Sequence, residues 1–191
     1  MSLTLDLSAW VEKAKGNAEL VVRKSSLGVI SAVIKRSPVG NPELWAANKT
    51  ATEYNLEVFR YNDALRQDPL NLTKSGRLKK GIKVNDSMDL TSGKGYVGGR
   101  FRGNWQVGIG TRPTGTLPDI DPQGNNTIGK AAAVIETYTT DANTIWAVNN
   151  LPYGYRLEYE GWSTQAPSGM VRISVAEWQM IVNQAVSELP R

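Results

Sequence analysis

The feature that most constrains this chain is an apolar stripe near its start that ends at a proline. Trp10, Ala14, Ala18, Val21, Val22, Ser25, Val29, Ala32 and Val33 recur at intervals of three and four, with Glu12, Lys13, Lys15, Glu19, Arg23, Lys24 and Lys35 between them. That is the period of one helix face. The spacing predicts a helix from about Ser8 to Arg36. Gly28 weakens it, and Pro38 stops it, because the residue before a proline is pushed out of helical geometry. A helix of this span is about 40 Å long at 1.5 Å per residue, so the remaining chain must pack along it. Its stripe is that of a core-facing helix, with packing on another subunit as the alternative use.

A second stretch, Gly98 to Gly110, alternates instead with a period of two. Phe101, Gly103, Trp105, Val107 and Ile109 fall on one side, and Arg100, Arg102, Asn104 and Gln106 on the other. This is the pattern of a half-buried strand. Trp105, Val107 and Ile109 are thus expected in the core, and the basic, amide-rich face is expected at an interface. Gly103 leaves room for a neighbouring backbone or ring to approach.

Composition narrows the chemistry. The 191 residues include no cysteine and no histidine, which removes disulfides, thiol nucleophiles, imidazole bases and the usual zinc, copper and haem ligands. No catalytic, metal or cofactor site is expected. The formal charge of +4, from 22 basic and 18 acidic side chains, is a mild bias that does not by itself indicate nucleic-acid binding. No run of 18 apolar residues exists, and Met1 to Asp6 lacks the basic and apolar regions of a signal peptide. The expected location is a reducing cytoplasm, with no membrane association.

Between these features, residues 40–97 carry many breakers and little periodicity, and are read as an elaborated loop region with a short helix around Leu44 to Tyr54. Lys74, Arg77, Lys79, Lys80 and Lys83 form a basic cluster there, expected to be a solvated surface because no aromatic residues are interleaved to stack on bases. Thr111 to Asn126 reads as a proline-rich linker, in which Asp119 and Asp121 are expected to be solvated charges rather than an acid–base pair. Thr127 to Tyr138 reads as a helix, and Asn143 to Asn149 as a strand. Both faces of that strand are mostly apolar, which suits a central position in a sheet. Gly154 to Gly161 reads as a helical turn. Ser174-Val175-Ala176-Glu177 has the form of a capping box, opening a helix whose apolar face is Val175, Trp178, Ile181, Val182, Ala185, Val186 and Leu189. Trp178 is expected in the core.

Four blocks, in this order, resemble the tail-completion, or neck, proteins of long-tailed bacteriophages. They are Arg36-Ser37-Pro38-Val39 at the end of the long helix, Gly99 to Gln106, Asn149 to Tyr153 with Leu157 to Gly161, and Gln165 to Arg172. The resemblance does not extend to residues 40–97. It implies a virion protein of the tail or neck, assembled in the host cytoplasm, that forms a ring, commonly hexameric, completing the tail and joining it to the head connector. Its implied partners are further copies of itself, the tail tube protein and the connector or stopper protein, with DNA only as passing cargo.

The residues and the resemblance lead to one reading. A single assembly domain over 1–191 is expected, of α+β class, with a small antiparallel sheet flanked by the long N-terminal helix and a C-terminal helix, and with long loops. The candidate assembly interface is Arg100, Arg102, Asn104, Gln106, Arg156, Glu158 and Trp162. The alternative is a basic nucleic-acid-binding module using Arg100, Arg102 and the cluster at 74–83. An enzyme would need Glu158 and Glu160 to act together, and on a helix these sit about 200° apart.

Overall fold

A computed structural model describes residues 3–190, with side chains described from Leu7. The fold is α+β, and the chain divides into two compact units. One is built from residues up to Val39 together with those from Gly98 onward, and the other is Gly40–Val97. Among the described residues no helix is long and apolar enough to cross a membrane.

The first unit is organised along α1, Leu3–Arg36. Its inward face is Ser25, Ile30, Val33 and Ile34, whereas Leu7, Trp10 and Val11 are exposed, Trp10 by 68%. The apolar stripe is therefore a core face only in its C-terminal half. A helical turn α3 (Arg100–Gly103) leads into β1 (Trp105–Ile109), followed by α4 (Asn125–Ile135) and β2 (Ile145–Asn149). The chain then forms α5 (Gly154–Tyr159), α6 (Val171–Ala176) and α7 (Trp178–Ser187). β1 and β2 pair antiparallel, from Trp105 opposite Asn149 to Ile109 opposite Ile145.

Two apolar clusters fill this unit. One joins Val33, Phe101, Leu151, Leu157 and Met170, and the other joins Ile30, Ile34, Ala131 and Ile135. Trp105 packs against both. α7 runs antiparallel to α1, with Arg36 bonded to Glu177 and Lys24 to Glu188. Gly28 lets them approach: a Cβ there would lie 2.7 Å from Ile181 Cγ2. The glycine that weakens α1 is thus the groove for α7.

Several sequence expectations change. The alternation from Arg100 to Ile109 is not one strand. Gly99 adopts φ +114° and starts the helical turn α3, so the side chains of Arg100 and Arg102 do not share a strand face with Gln106. Gly103 does meet a neighbouring backbone, since a Cβ there would lie 2.7 Å from the Asp119 carbonyl oxygen. Trp105, Val107 and Ile109 are half-buried, and Trp178 is not in the core but 46% exposed. The capping box is absent. Ser174 lies inside α6, donating to the Met170 carbonyl one turn back at 2.7 Å and accepting from Arg36 Nη1 at 2.9 Å. Glu177 is bonded to Arg36 and marks the break between α6 and α7. In the last two helices Ala185 is buried and Ile181, Val182 and Leu189 are half-buried, whereas Val175 and Val186 face solvent with Trp178. β2, expected at the centre of a sheet, pairs with β1 in a sheet that has two strands among the described residues.

The second unit is more ordered than a loop region. Short 3₁₀ turns lead into α2, Lys49–Leu65, which extends well beyond the helix expected to end near Tyr54. Among the described residues of this unit only one apolar side chain, Ala51, is buried. What holds it together is polar. Asn48, just before α2, and Asn55 and Asn62 on it, seven residues apart, each clamp the backbone of one residue in the returning chain. Asn62 donates to the Val84 carbonyl at 2.8 Å and accepts from its N–H at 2.9 Å. Asn55 does the same with Met88, and Asn48 with Ser92. Burial of Asn48 and Asn62 is thereby compensated, as a buried amide requires.

This ladder predicts an exchange pattern. In the free subunit the amides of Val84, Met88 and Ser92 should exchange slowly, and those of Asn85, Asp89 and Thr91 nearly as fast as in an unfolded chain. Uniform protection across 84–92, or none at all, measured by amide hydrogen exchange, would rule the ladder out.

Candidate assembly interface

The site is best built outward from the end of α1. The last carbonyls of a helix have no partner within it, and here Arg102 supplies one. Its guanidinium donates to the carbonyls of Lys35 at 2.9 Å, Ser37 at 2.6 Å and Pro122 at 2.6 Å. A cation at a helix C-terminus is favoured by the helix dipole as well. The Trp105 indole N–H donates to Ser37 Oγ at 2.8 Å, which itself donates to the Val33 carbonyl. The Gln165 side chain accepts from the Val39 N–H and donates to its carbonyl. Four separated stretches of chain therefore meet at one helix end.

Two buried carboxylates fix the surrounding helices. Glu158, on α5, accepts from the N–H groups of Met170, Val171 and Arg172 at 2.8 to 3.0 Å, so it caps the start of α6. The Arg172 guanidinium also donates to the Glu158 carboxylate and carbonyl. Gly169 makes room, with φ +81° and a position where a Cβ would lie 2.6 Å from Glu158 Oε1. Burial pushes the Glu158 pKa up, but the three amides and Arg172 outweigh it and hold the carboxyl below its ordinary value. Asp121 is the second: it accepts from Gly124 N–H and from the N–H and Oγ of Thr127, at the start of α4. Burial likewise opposes these bonds and loses, leaving its pKa lowered. The expectation of two solvated charges thus fails for Asp121, while Asp119 pairs with Lys130 near the surface.

The candidate interface residues now separate. Arg102, Asn104 and Glu158 have their polar groups committed inside the subunit. Asn104 is fully buried and bonded to Arg100 and Leu117. Gln106 is half-buried and donates to the Gly115 carbonyl. Arg102, Asn104 and Gln106 therefore do not form an outward basic face, because the loop 111–122 and the end of α1 engage them, and Glu158 is held against the start of α6. Arg100, Arg156 and Trp162 do face solvent. On α5 and the turn after it, Tyr155, Tyr159 and Trp162 are exposed by 65%, 57% and 60%. Arg156 lies over the Trp162 ring, 5.4 Å from its centroid, and Arg172 over Tyr159 at 5.1 Å. Tyr155 and Tyr159 stand 4.9 Å apart. Tyr155, Tyr159 and Arg172 were missed in the sequence, although the helical reading of 154–161 places Tyr155 and Tyr159 one turn apart on one face.

Glu158 and Glu160 point apart on α5, the first buried and the second 3.9 Å from Arg156. Among the described residues no group of three or more Asp or Glu side chains comes together to hold a metal ion. Comparison with protein families, with curated proteins and with solved structures finds no match to this chain.

The depressed carboxylates give a signed pH dependence. A carboxylate whose folded pKa lies below its unfolded value stabilises the fold above the unfolded pKa, and that stabilisation is lost as pH falls towards the folded value. The unfolded value is about 4. Glu158→Gln should cost about 1.5–3 kcal/mol at pH 7, as the loss of charge-assisted hydrogen bonds does, and the gap from wild type should close as pH falls below about 4. Denaturant unfolding at a series of pH values tests this. A gap independent of pH would show that the carboxylate charge does not hold α6.

Proposed function

We propose that this chain is a structural protein of the head–tail junction of a long-tailed bacteriophage. It assembles into a ring that completes the tail and joins it to the head connector. Its partners are copies of itself, the tail tube protein and the connector protein, and its place is the virion. The observation that carries the proposal is the exposed surface of Tyr155, Tyr159 and Trp162 with Arg156 and Arg172 laid over two of the rings. Tyr, Trp and Arg are the side chains that dominate binding at protein interfaces. Held on a helix whose buried Glu158 caps its neighbour, they lose little freedom on contact, which limits the entropic cost of association.

Three further observations support an assembly role. Residues of all four blocks come together near the end of α1, where Phe101, Leu151, Leu157 and Met170 pack with Val33 and Arg102 and Gln165 bond Ser37 and Val39. The start of α1 projects Leu7, Trp10 and Val11 into solvent, and the outer side of α6 and α7 exposes Val175, Trp178, Met180 and Val186. Exposed apolar surface on this scale is characteristic of chains that are covered by others. A nucleic-acid-binding module, by contrast, has lost Arg102 to the helix end and retains Arg100 and the exposed cations at 74–83.

Trp162→Ala and Arg156→Glu test this directly. Each should leave the unfolding midpoint close to wild type and weaken assembly about thirtyfold or more, the effect of removing a contact worth about 2 kcal/mol. Solution mass and the joining of purified tails to heads are the readouts. Unchanged mass and normal joining in both variants would contradict the proposal. Sub-micromolar DNA binding that falls steeply with salt and is lost on reversing Lys79 and Lys80 would favour the nucleic-acid module.

A further inference from the structure

Among the described residues, two backbone edges lack partners within their own unit, one in each unit. The first is the outer edge of β2. Gly110 N–H donates to the Thr144 carbonyl at 2.8 Å, just beyond the last ladder pair. In an antiparallel ladder, pairs that exchange hydrogen bonds alternate with pairs that do not. Trp146 and Val148 therefore bond to Gly108 and Gln106, and Ile145 and Ala147 turn their N–H and C=O groups outward. The alternation is confirmed on β1, where the Ile109 carbonyl accepts from Thr111 N–H, outside the ladder. β1 is thus partly closed by its own loop, which also receives the Gln106 and Asn150 amides. No group among the described residues pairs with the outward groups of Ile145 and Ala147. β2 also has apolar residues on both faces, the composition of a central strand, while Trp146 and Ala147 are exposed.

The second edge is residues 85–91. The ladder asparagines span 14 residues of α2 and its N-terminal cap, about 21 Å at 1.5 Å per residue, against eight residues of the returning chain. The chain therefore rises about 2.6 Å per residue, well above the 1.5 Å of a helix and short of the 3.2–3.4 Å of a strand. Val84, Met88 and Ser92 all turn the same edge to α2, and a four-residue spacing agrees with the two-residue period of a strand. The opposite edge belongs to Asn85, Ser87, Asp89 and Thr91. These side chains are exposed, although Thr91 Oγ1 donates to the Ala47 carbonyl and Asn48 Oδ1. The Ser87 N–H donates to Asp86 Oδ1, and the backbone groups of Asn85, Asp89 and Thr91 have no partner among the described residues.

We propose that residues 85–91 of one copy add as a strand to the outer edge of β2 in a neighbouring copy. The inference rests on the assembly reading and specifies one of its contacts. Main-chain groups in a row on each edge are complementary by construction, as in other strand additions, and an edge left open in solution invites such pairing. The contact joins different surfaces of two copies, so it is heterologous. Repeated around an axis it closes into a ring when the rotation per copy allows. It would also place β2 inside a three-stranded sheet, the position its apolar composition fits.

Because the chain has no cysteine, introduced thiols report only on themselves. A chain with Ala147→Cys is mixed with separate chains carrying Ser87→Cys, Asp89→Cys or Thr91→Cys, and each mixture is assembled and oxidised. Directly opposed strand residues have Cβ atoms close enough for a disulfide in one register. One of the three mixtures should give two-chain products above the others, and the double variant with that pair should give a ladder of multiples of the chain. Asp89→Pro removes an outward N–H and should lower the assembled fraction at least tenfold. Exchange protection at Val84, Met88 and Ser92 then shows whether the variant still folds. Rings of normal mass with no disulfide in any mixture would overturn the strand addition and leave the assembly reading standing. A chain that stays monomeric under all conditions, with no joining of heads and tails, would overturn the assembly reading itself.

Discussion

The termination of α1 is the constraint on which the larger unit depends. A long helix that ends in the middle of a protein leaves carbonyl groups that must be met. Here Ser37 meets those of Val33 and Ile34, and a side chain brought from far along the sequence, Arg102, meets that of Lys35. Arg102 reaches the carbonyls of Lys35 and Ser37, Trp105 bonds Ser37 Oγ, Gln165 pairs with Val39, and Arg36 is tied to Ser174 and Glu177. Each of these contacts closes a loop of at least 65 residues, and each fixes where the next element lies. Phe101 and Leu157 then complete an apolar cluster with Val33, which is on the last turn of α1.

From that junction the outward surface follows. Arg102 fixes α3 and, through it, β1, and β2 pairs with β1. Leu151 and Leu157 enter the same cluster as Val33, which sets the angle of α5. Glu158 then turns inward to cap α6, so its neighbours Tyr155, Tyr159 and Arg156 are turned outward. The exposed aromatic and arginine surface is the other side of a helix whose inner side is fully used. In the second unit the logic is different, because hydrogen bonds from asparagines take the place of an apolar core. A unit of this size with so little buried apolar surface gains little from the hydrophobic effect.

Legibility in the sequence followed the range of the interaction. The helical stripe, its stop at Pro38 and the turn at Gly154 to Tyr159 are local signals, and they appear where the residues indicate. The alternation from Arg100 to Ile109 was misleading because Arg102 is drawn to a helix end far away in sequence, and no local pattern announces this. Ser174 and Glu177 have the spacing of a capping box, yet Arg36 engages both side chains, and the cap of α6 comes instead from Glu158, twelve residues before its first amide. Asn48, Asn55 and Asn62 stand seven residues apart, but an exposed polar stripe has the same spacing, and its role follows only from the chain that returns over it.

The most direct test of this account compares two neighbouring arginines. Arg102→Met keeps the aliphatic stem and removes the donors at the end of α1, and Arg100→Met does the same to a side chain that faces solvent. Denaturant unfolding of the larger unit should show a loss of about 2–4 kcal/mol for Arg102→Met, as when buried partners of a charged donor are left unmet. For Arg100→Met the change should stay within about 0.5 kcal/mol. Equal midpoints for the two variants would contradict the claim that the end of α1 organises the fold.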